Sequence, residues 1–200
     1  MPSQYGEDRF ILDYFRGRCS HGRFLDIGAY NGVALSNTLP LLDAGWEGTY
    51  LEPSAAPFAS LLQNVGNRKP TPILIHAALH PTAGLIPWWD ANGDAISTSK
   101  AAHCKVFHDH SYTFCWTCGI TWDQLLEVAP GPYDFMNFDV EGRNSELIQL
   151  APLEKIGAKL ICFEYDPVHE DGPPALAYFA AHGYQVITRI GNLLLEKTCP

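Results

Sequence analysis

Short apolar segments alternate along the chain with amphipathic ones, and this alternation limits the fold more than any other feature. Strands that alternate with helices form mainly parallel sheets with helices on both faces. An Ile190-Gly191-Asn192 turn predicts a closing hairpin, so the last strand should be antiparallel. We therefore expect an α/β fold with a mostly parallel seven-stranded sheet and a C-terminal antiparallel hairpin. The predicted strands are Arg23–Gly28, Gly48–Glu52, Ile73–Ala78, Tyr133–Asp139, Lys159–Glu164, Tyr184–Thr188 and Asn192–Glu196.

Helix signals occupy the stretches between these strands. A run of apolar residues at helical spacing follows Ser54, which predicts a helix capped by Ser54 and ended by Gly66. Thr121 and Gln124 have the spacing of a capping box at the start of another helix.

Composition narrows the class of protein. The chain has 200 residues, 46% hydrophobic and 18% charged, which predicts one globular domain over residues 1–200. Its net charge of −9 argues against a nucleic-acid partner, because phosphate backbones are bound by clustered Lys and Arg. No basic-then-apolar leader and no run of about 20 apolar residues is present, so we expect no membrane insertion. The six cysteines are irregularly spaced, which favours reduced thiols and a cytoplasmic location.

Carboxylates recur where the predicted strands end. The carboxyl ends of parallel strands meet at one edge of the sheet, and ligands of such folds bind there. Like charges repel, so stacked acids at that edge point to a binding or catalytic role rather than a structural one. These residues are Asp26, Glu52, Asp139, Glu141, Glu164 and Asp166.

The loop after the first strand selects between cofactors. A dinucleotide fold requires G-x-G-x-x-G, and Tyr30 stands where the middle glycine would let the backbone approach a pyrophosphate. S-adenosylmethionine (SAM) has no phosphate. Asp26 would face its positive charge, and Glu52 would accept hydrogen bonds from both ribose hydroxyls. The alternative is that this stretch is only a strand-to-helix turn.

Six segments together resemble the FkbM family of SAM-dependent methyltransferases over nearly the whole chain. The segments are SQYGED (residues 3–8), FLDIGAYNGVALSNT (24–38), GWEGTYLEP (45–53), ITWDQLL (120–126), YDFMNFDVEG (133–142) and ICFEYD (161–166). The family more often has Asn then Asp where this chain has Tyr30 and Asn31. The resemblance implies a Rossmann-like class I methyltransferase sheet, SAM as methyl donor, and O-methylation of a hydroxyl on a small molecule or glycan.

The resemblance also implies cofactor contacts along the sheet edge. Residues 1–20 would form an N-terminal lid or helix, with Gln4 and Tyr5 over the cofactor, although these two residues would equally suit a packed terminus. Ser36 and Asn37 would offer the first helix start to the SAM carboxylate, or would simply cap that helix. The remaining implied contacts are Asp26, Gly28, Ala29, Tyr30, Asn31, Gly32, Glu52, Pro53, Ala77, Ala78 and Asp139.

The catalytic candidates are the acids that follow the fourth and fifth strands. An acceptor hydroxyl needs a proton acceptor or a metal ion before it attacks a methyl group. Asp139 and Glu164 could hold Mg²⁺ through oxygen ligands or act directly as bases. Glu141 would bind the acceptor or cap the next helix. His169 is either a further base or a solvated loop residue.

Residues 80–120 form a predicted insertion over the acceptor pocket, or an element that packs over the sheet edge. The insertion contains a cluster of possible zinc ligands: His103, Cys104, His108, His110, Cys115 and Cys118. However, residues 111–122 have strand-like composition, and side chains three apart on a strand point to opposite faces. This spacing argues against zinc.

Three classes of function fit these observations. The first is a SAM-dependent O-methyltransferase, which the motifs favour. The second is a dinucleotide-dependent oxidoreductase, which Tyr30 opposes. The third is a SAM-binding protein without catalytic activity.

Overall fold

A computed structural model describes residues 2–166 and 172–198, and its largest element is a seven-stranded sheet. The strands of this sheet are β1 (Arg23–Ile27), β2 (Glu47–Leu51), β3 (Ile73–Ile75), β7 (Phe135–Phe138), β8 (Leu160–Phe163), β9 (Tyr184–Ile190) and β10 (Asn192–Lys197). Their order is β3-β2-β1-β7-β8-β10-β9. The first five run parallel, whereas β10 is antiparallel to both β8 and β9. The predicted fold class is confirmed.

A second sheet of three strands branches off after β3. Its strands are β4 (Ala78–Leu79), β5 (Gly84–Asp90) and β6 (Thr113–Ile120), in the order β4-β6-β5. The prediction of one strand over Ile73–Ala78 was wrong. Pairing with β2 stops at Ile75, opposite Leu51, and Ala78 instead pairs with Gly119 of β6.

Seven helices cover the main sheet in the described part of the chain. They are α1 (Glu7–Phe15), α2 (Leu39–Asp43), α3 (Ala55–Val65), α4 (Trp122–Val128), α5 (Asn144–Ile148), α6 (Leu153–Ile156) and α7 (Gly172–Ala181). The capping box of Thr121 and Gln124 is present at the start of α4. Ser54 occupies the N-cap position of α3, but its side chain does not cap the helix. Its hydroxyl instead accepts a hydrogen bond from Trp88 Nε1 at 3.1 Å, because β5 packs against this corner.

Apolar clusters fill both faces of the main sheet. On β1, Leu25 and Ile27 belong to the cluster that includes Phe163 and Phe179, and Phe24 belongs to the cluster that includes Trp46. Burial on both faces explains why the parallel strands are almost continuously apolar. Polar residues within these strands are therefore exceptions that need partners.

None of the helices in the described ranges combines the length and the apolar character that a membrane crossing requires.

Candidate active site

A cavity of about 660 Å³ opens at the carboxyl ends of β1, β2, β7 and β8. The chain leaves β1 toward β2 and later returns to β7 on the other side, so the cavity lies at the point where strand order reverses. Most of the predicted site residues line it: Gln4, Tyr5, Asp26, Gly28, Ala29, Tyr30, Ser36, Asn37, Glu52, Pro53, Ala77, Ala78, Asp139, Glu141 and Glu164. One cavity therefore contains both the expected cofactor residues and the expected catalytic acids.

Two predicted cofactor residues, Asn31 and Gly32, do not line the cavity. The Asn31 side chain folds back and accepts the backbone N–H groups of Val33 and Ala34 at 3.0 and 2.8 Å. Gly32 faces α3, where a Cβ would lie 2.6 Å from a methyl carbon of Leu61. Both residues thus support the turn after β1 on the side away from the cavity.

Glu52, directly after β2, is almost fully buried in the cavity wall. One carboxylate oxygen accepts the backbone N–H of Tyr30 at 2.8 Å, and the other accepts that of Ser54 at 2.7 Å. Burial nevertheless raises the pKa of Glu52 to about 8, because desolvation outweighs the two hydrogen bonds that lower it. The carboxylate therefore lies in a position where a ligand that donates hydrogen bonds or carries positive charge would favour its ionised form.

Asp26 belongs to a buried polar network between β1 and β7. Its carboxylate accepts hydrogen bonds from Thr38 Oγ1 at 2.6 Å and from Asn137 Nδ2 at 2.9 Å. Asn37 in turn donates to Asn137 Oδ1 at 2.9 Å. Burial raises the pKa of Asp26 to about 6, although both hydrogen bonds lower it.

Asn37 carries an unsatisfied acceptor in this network. It is 6% exposed and lines the cavity, and its Oδ1 has no hydrogen-bond partner among the described residues. A buried amide oxygen without a donor is costly, so this atom is suited to a ligand that brings one. Ser36, its neighbour, lies two residues before Thr38, the N-cap of α2, and its hydroxyl accepts the backbone N–H of Leu39 at 3.0 Å.

Gly28 permits a close approach between the loop after β1 and Asp139, the residue that follows β7. A Cβ at this position would lie 1.6 Å from the backbone oxygen of Asp139, and the residue has a φ of +83°. Only glycine meets both conditions. The turn after β1 and the end of β7 are therefore packed backbone against backbone.

Tyr30 also has a left-handed backbone, with φ of +51°. Its hydroxyl donates to the backbone oxygen of Gly93 at 3.0 Å. The ring therefore spans from the first loop to residues 80–120. It occupies space that a dinucleotide-binding turn leaves to glycine.

The N-terminal segment closes one side of the cavity. The Tyr5 ring lies against Gly191 at the β9–β10 turn, where a Cβ would come within 2.0 Å of ring carbon Cδ2. Glu7 accepts the backbone N–H of Tyr5 at 3.0 Å and that of Asn192 at 3.5 Å. Tyr5 remains 58% exposed.

The three predicted catalytic acids converge. Oxygens of Asp139, Glu141 and Glu164 all lie within 4.8 Å of one another. Asn144 Nδ2 donates to Glu164 at 2.5 Å, and His103 Nε2 lies 3.0 Å from a Glu141 oxygen. His169, the other predicted base, lies outside the described residues.

This acidic group is the only convergence of three or more potential metal ligands within residues 2–166 and 172–198. The candidate zinc ligands do not come together there. Cys115 is half-buried against the cluster of Ala78, Ile86 and Trp88, whereas Cys118 is exposed. The two thiols project from β6 in different directions, as strand geometry predicts.

A family model described as the methyltransferase FkbM domain matches residues 26–186. The chain belongs to the FkbM methyltransferase family. The resemblance inferred from the sequence motifs is confirmed, and with it the assignment as a SAM-dependent methyltransferase.

Solved structures share the fold of this FkbM methyltransferase at low identity. A putative caffeoyl-CoA O-methyltransferase from Staphylococcus aureus has a TM-score of 0.53 and 12% identity, covering 96% of this chain and 82% of its own. A protein of the NADB-Rossmann superfamily from Streptococcus agalactiae has a TM-score of 0.51 and 11% identity, covering 99% of this chain and 70% of its own. The B. subtilis tRNA methyltransferase TrmK has a TM-score of 0.50 and 12% identity, covering 99% and 68%. No curated protein sequence matched the chain.

Two further residues of this FkbM methyltransferase contact the candidate site residues and are not indicated as such by the sequence motifs. Asn137 connects Asp26 to Asn37, and the signal was available, since it is a polar residue inside the apolar run of β7. The sequence indicates His103 only as a candidate zinc ligand, and its contact with Glu141 joins residues 38 positions apart. No local spacing indicates such a pair.

Proposed function

We propose that this FkbM methyltransferase transfers the methyl group of SAM to a hydroxyl of a small molecule or glycan. The observation that carries the proposal is the convergence of three carboxylates in the same cavity that holds Glu52 and Asp26. The residues for the cofactor and the groups that would accept a proton thus lie in one cavity.

The cofactor end of the cavity fits SAM. Glu52 holds the ribose hydroxyls, since its carboxylate is fixed by backbone N–H groups and keeps lone pairs for two more donors. Ala77 and Ala78 are small, buried and suited to the adenine face. The amino-acid part lies along Gly28 and Ala29 toward Asp26, and its ammonium supplies the donor that Asn37 Oδ1 lacks.

The acceptor hydroxyl lies at the carboxylates of Asp139, Glu141 and Glu164. Its oxygen attacks the methyl carbon in line while the carbon–sulfur bond breaks and the electron pair remains on sulfur, which leaves S-adenosylhomocysteine. The hydroxyl proton passes to a carboxylate. Holding the two reactants in line supplies a large part of the rate acceleration.

The same three acids also fit a divalent cation. Carboxylate oxygens are the ligands that Mg²⁺ prefers, and Asp139, Glu141 and Glu164 would supply them. Bound Mg²⁺ would lower the pKa of an acceptor hydroxyl. We include metal assistance as one arm of the test.

The acceptor is covered by the insertion of residues 80–120. Ala95, Ile96, Ser97 and Phe107 from this insertion line the cavity. Their mixed apolar and hydroxyl character suits a polyol with an apolar face. The net charge of −9 disfavours an RNA acceptor.

Methyl-labelled SAM with defined acceptors tests the proposal. The protein is incubated with methyl glycosides of glucose, galactose, mannose and rhamnose, with an aminoethyl glycoside, and with unmodified tRNA. We expect label on hydroxyl oxygen in at least one glycoside. We also expect SAM, but not NAD, to bind in calorimetric titration.

Two further arms separate the roles of the acids. Turnover lost in EDTA and restored by Mg²⁺ supports a metal at the acids, whereas turnover unchanged in EDTA supports direct proton transfer. Transfer only to the amine contradicts O-methylation, and transfer only to tRNA contradicts a small-molecule or glycan acceptor. Full turnover in both Asp139→Ala and Glu164→Ala refutes the catalytic assignment.

A further inference from the structure

Residues 98–103 of the insertion form hydrogen bonds with the loop that carries Glu141. Thr98 Oγ1 donates to the backbone oxygen of Glu141 at 2.7 Å, and Lys100 Nζ donates to that of Gly142 at 3.1 Å. From the loop, Arg143 Nε donates to Ser99 Oγ at 2.8 Å. The insertion therefore holds both the backbone and the flank of the loop.

The backbone of this loop needs such support. Glu141 has a φ of +48° and Gly142 a φ of +87°, so two successive residues are left-handed. A glutamate gains nothing from this conformation by itself, because its Cβ crowds the following carbonyl. Strain of this kind persists only where the surroundings impose it, and it is concentrated at functional positions.

His103 adds a contact between the insertion and the Glu141 side chain. Its Nε2 lies 3.0 Å from Oε2, with the two side chains 6% and 16% exposed. The imidazole ring also packs on Gly142, where a Cβ would come within 2.5 Å of ring carbon Cγ. Phe107 also contacts the imidazole ring in an edge-on arrangement, at 5.6 Å between centroids. The ring is thus held in place.

We propose that His103 is a positioning residue for methyl transfer, which donates from Nε2–H to Glu141 and fixes that carboxylate against the acceptor hydroxyl. This inference rests on the proposed function of the same cavity. His103 does not itself line the cavity, so it acts through Glu141. Without the imidazole, the carboxylate rotates among its rotamers and the proton acceptor is misplaced.

The test compares His103→Leu, which removes the donor, with His103→Gln, whose amide restores a donor near Nε2. His108→Leu is the matched control, because the His108 side chain is 79% exposed in the same segment. The assay uses labelled SAM and the methyl glycoside that the unaltered protein methylates fastest. Calorimetry gives the Kd for S-adenosylhomocysteine.

We expect His103→Leu to lower kcat by about tenfold or more while the Kd for S-adenosylhomocysteine stays within about twofold. His103→Gln should recover at least about a third of kcat. His108→Leu should behave as the unaltered protein. The inference is overturned if His103→Leu keeps its kcat, if its loss lies in cofactor affinity, or if His103→Gln is as impaired as His103→Leu.

A spectroscopic measurement needs no acceptor and keeps the inference separate from the proposed function. Nitrogen NMR of the unaltered protein should show His103 protonated at Nε2, with that signal changed in Glu141→Ala. An unchanged signal overturns the contact even if the protein is an O-methyltransferase. Conversely, a confirmed contact in a protein that methylates only amines would refute the proposed acceptor and retain the His103–Glu141 pair.

Discussion

Glu52 at the tip of β2 accepts the backbone N–H of Tyr30, which lies in the loop after the neighbouring strand β1, at 2.8 Å. This bond and the one from Ser54 fix both carboxylate oxygens before any cofactor arrives. Binding therefore does not have to order this side chain, and the entropy cost of that step is avoided.

Replacing Glu52 with glutamine should weaken SAM binding by about 2 kcal/mol, because one charged acceptor for the ribose is lost while the volume is kept. Calorimetric titration measures the loss. Glu47→Gln is a control, since Glu47 lies at the other end of the same strand and its side chain is 67% exposed. Equal affinities of the unaltered protein and Glu52→Gln would exclude the ribose assignment.

The stability of the unliganded protein should fall with pH through the titration of Glu52. Its pKa is raised from 4.5 to about 8 in the folded state, so the folded protein binds the proton more tightly than the unfolded chain. The contribution of the Glu52 proton to the free energy of unfolding is complete below pH 4.5. It is lost as pH rises to about 8, by at most about 1.4 kcal/mol per pH unit.

Urea unfolding at several pH values, compared with Glu52→Gln, isolates this contribution from the other titrating groups. As pH rises, the unfolding free energy of the unaltered protein should decrease relative to that of Glu52→Gln. A difference that is flat with pH would show that Glu52 titrates normally.

Gly28→Ala should lower the free energy of unfolding by about 3 kcal/mol or more, because the new methyl group collides with the Asp139 carbonyl. Gly17→Ala is the matched control. Gly17 has a φ of +73°, and a methyl group added there would have no neighbour within 4 Å, so only the backbone cost of about 1 kcal/mol remains. Similar losses in chemical denaturation would mean that the loop moves away without penalty.

Asn37→Ala should weaken SAM binding by about 1 kcal/mol and leave binding of 5′-methylthioadenosine unchanged. The second ligand keeps the adenosine and lacks the amino-acid part that we place at Asn37 Oδ1. Competition calorimetry compares the two ligands. Equal losses for both would assign Asn37 to the nucleoside or to general stability.

Sequence reasoning located the main sheet and most of the cavity wall because these depend on local signals. Short apolar runs define strands, and the residues that follow parallel strands such as β1 and β2 must meet at one edge. The turn around Tyr30 argued against a dinucleotide through one side chain in one position.

The rest depended on contacts between distant segments. Ile73 and Ala78 lie in one apolar run, and only pairing with β2 and β6 divides that run between two sheets. Asn31 has the chemistry of a ligand-binding residue, but its short side chain satisfies its own turn first. The pairing of His103 with Glu141 requires the folded insertion, which no periodicity describes.

The chain enters and leaves the small sheet at adjacent points, because Leu79 of β4 and Ile120 of β6 are paired. The segment between these two residues therefore begins and ends at neighbouring positions in the structure. We therefore expect the stretch between them to be replaceable without a change in the strand order of the large sheet. A graft would need to keep the anchors that Trp88 and Thr117 make to Ser54 and Pro53. It would also need an acceptor for the Tyr30 hydroxyl and the contacts of residues 98–103 with the loop that carries Glu141. Acceptor choice could then be re-engineered in this protein while the cofactor half stays as it is.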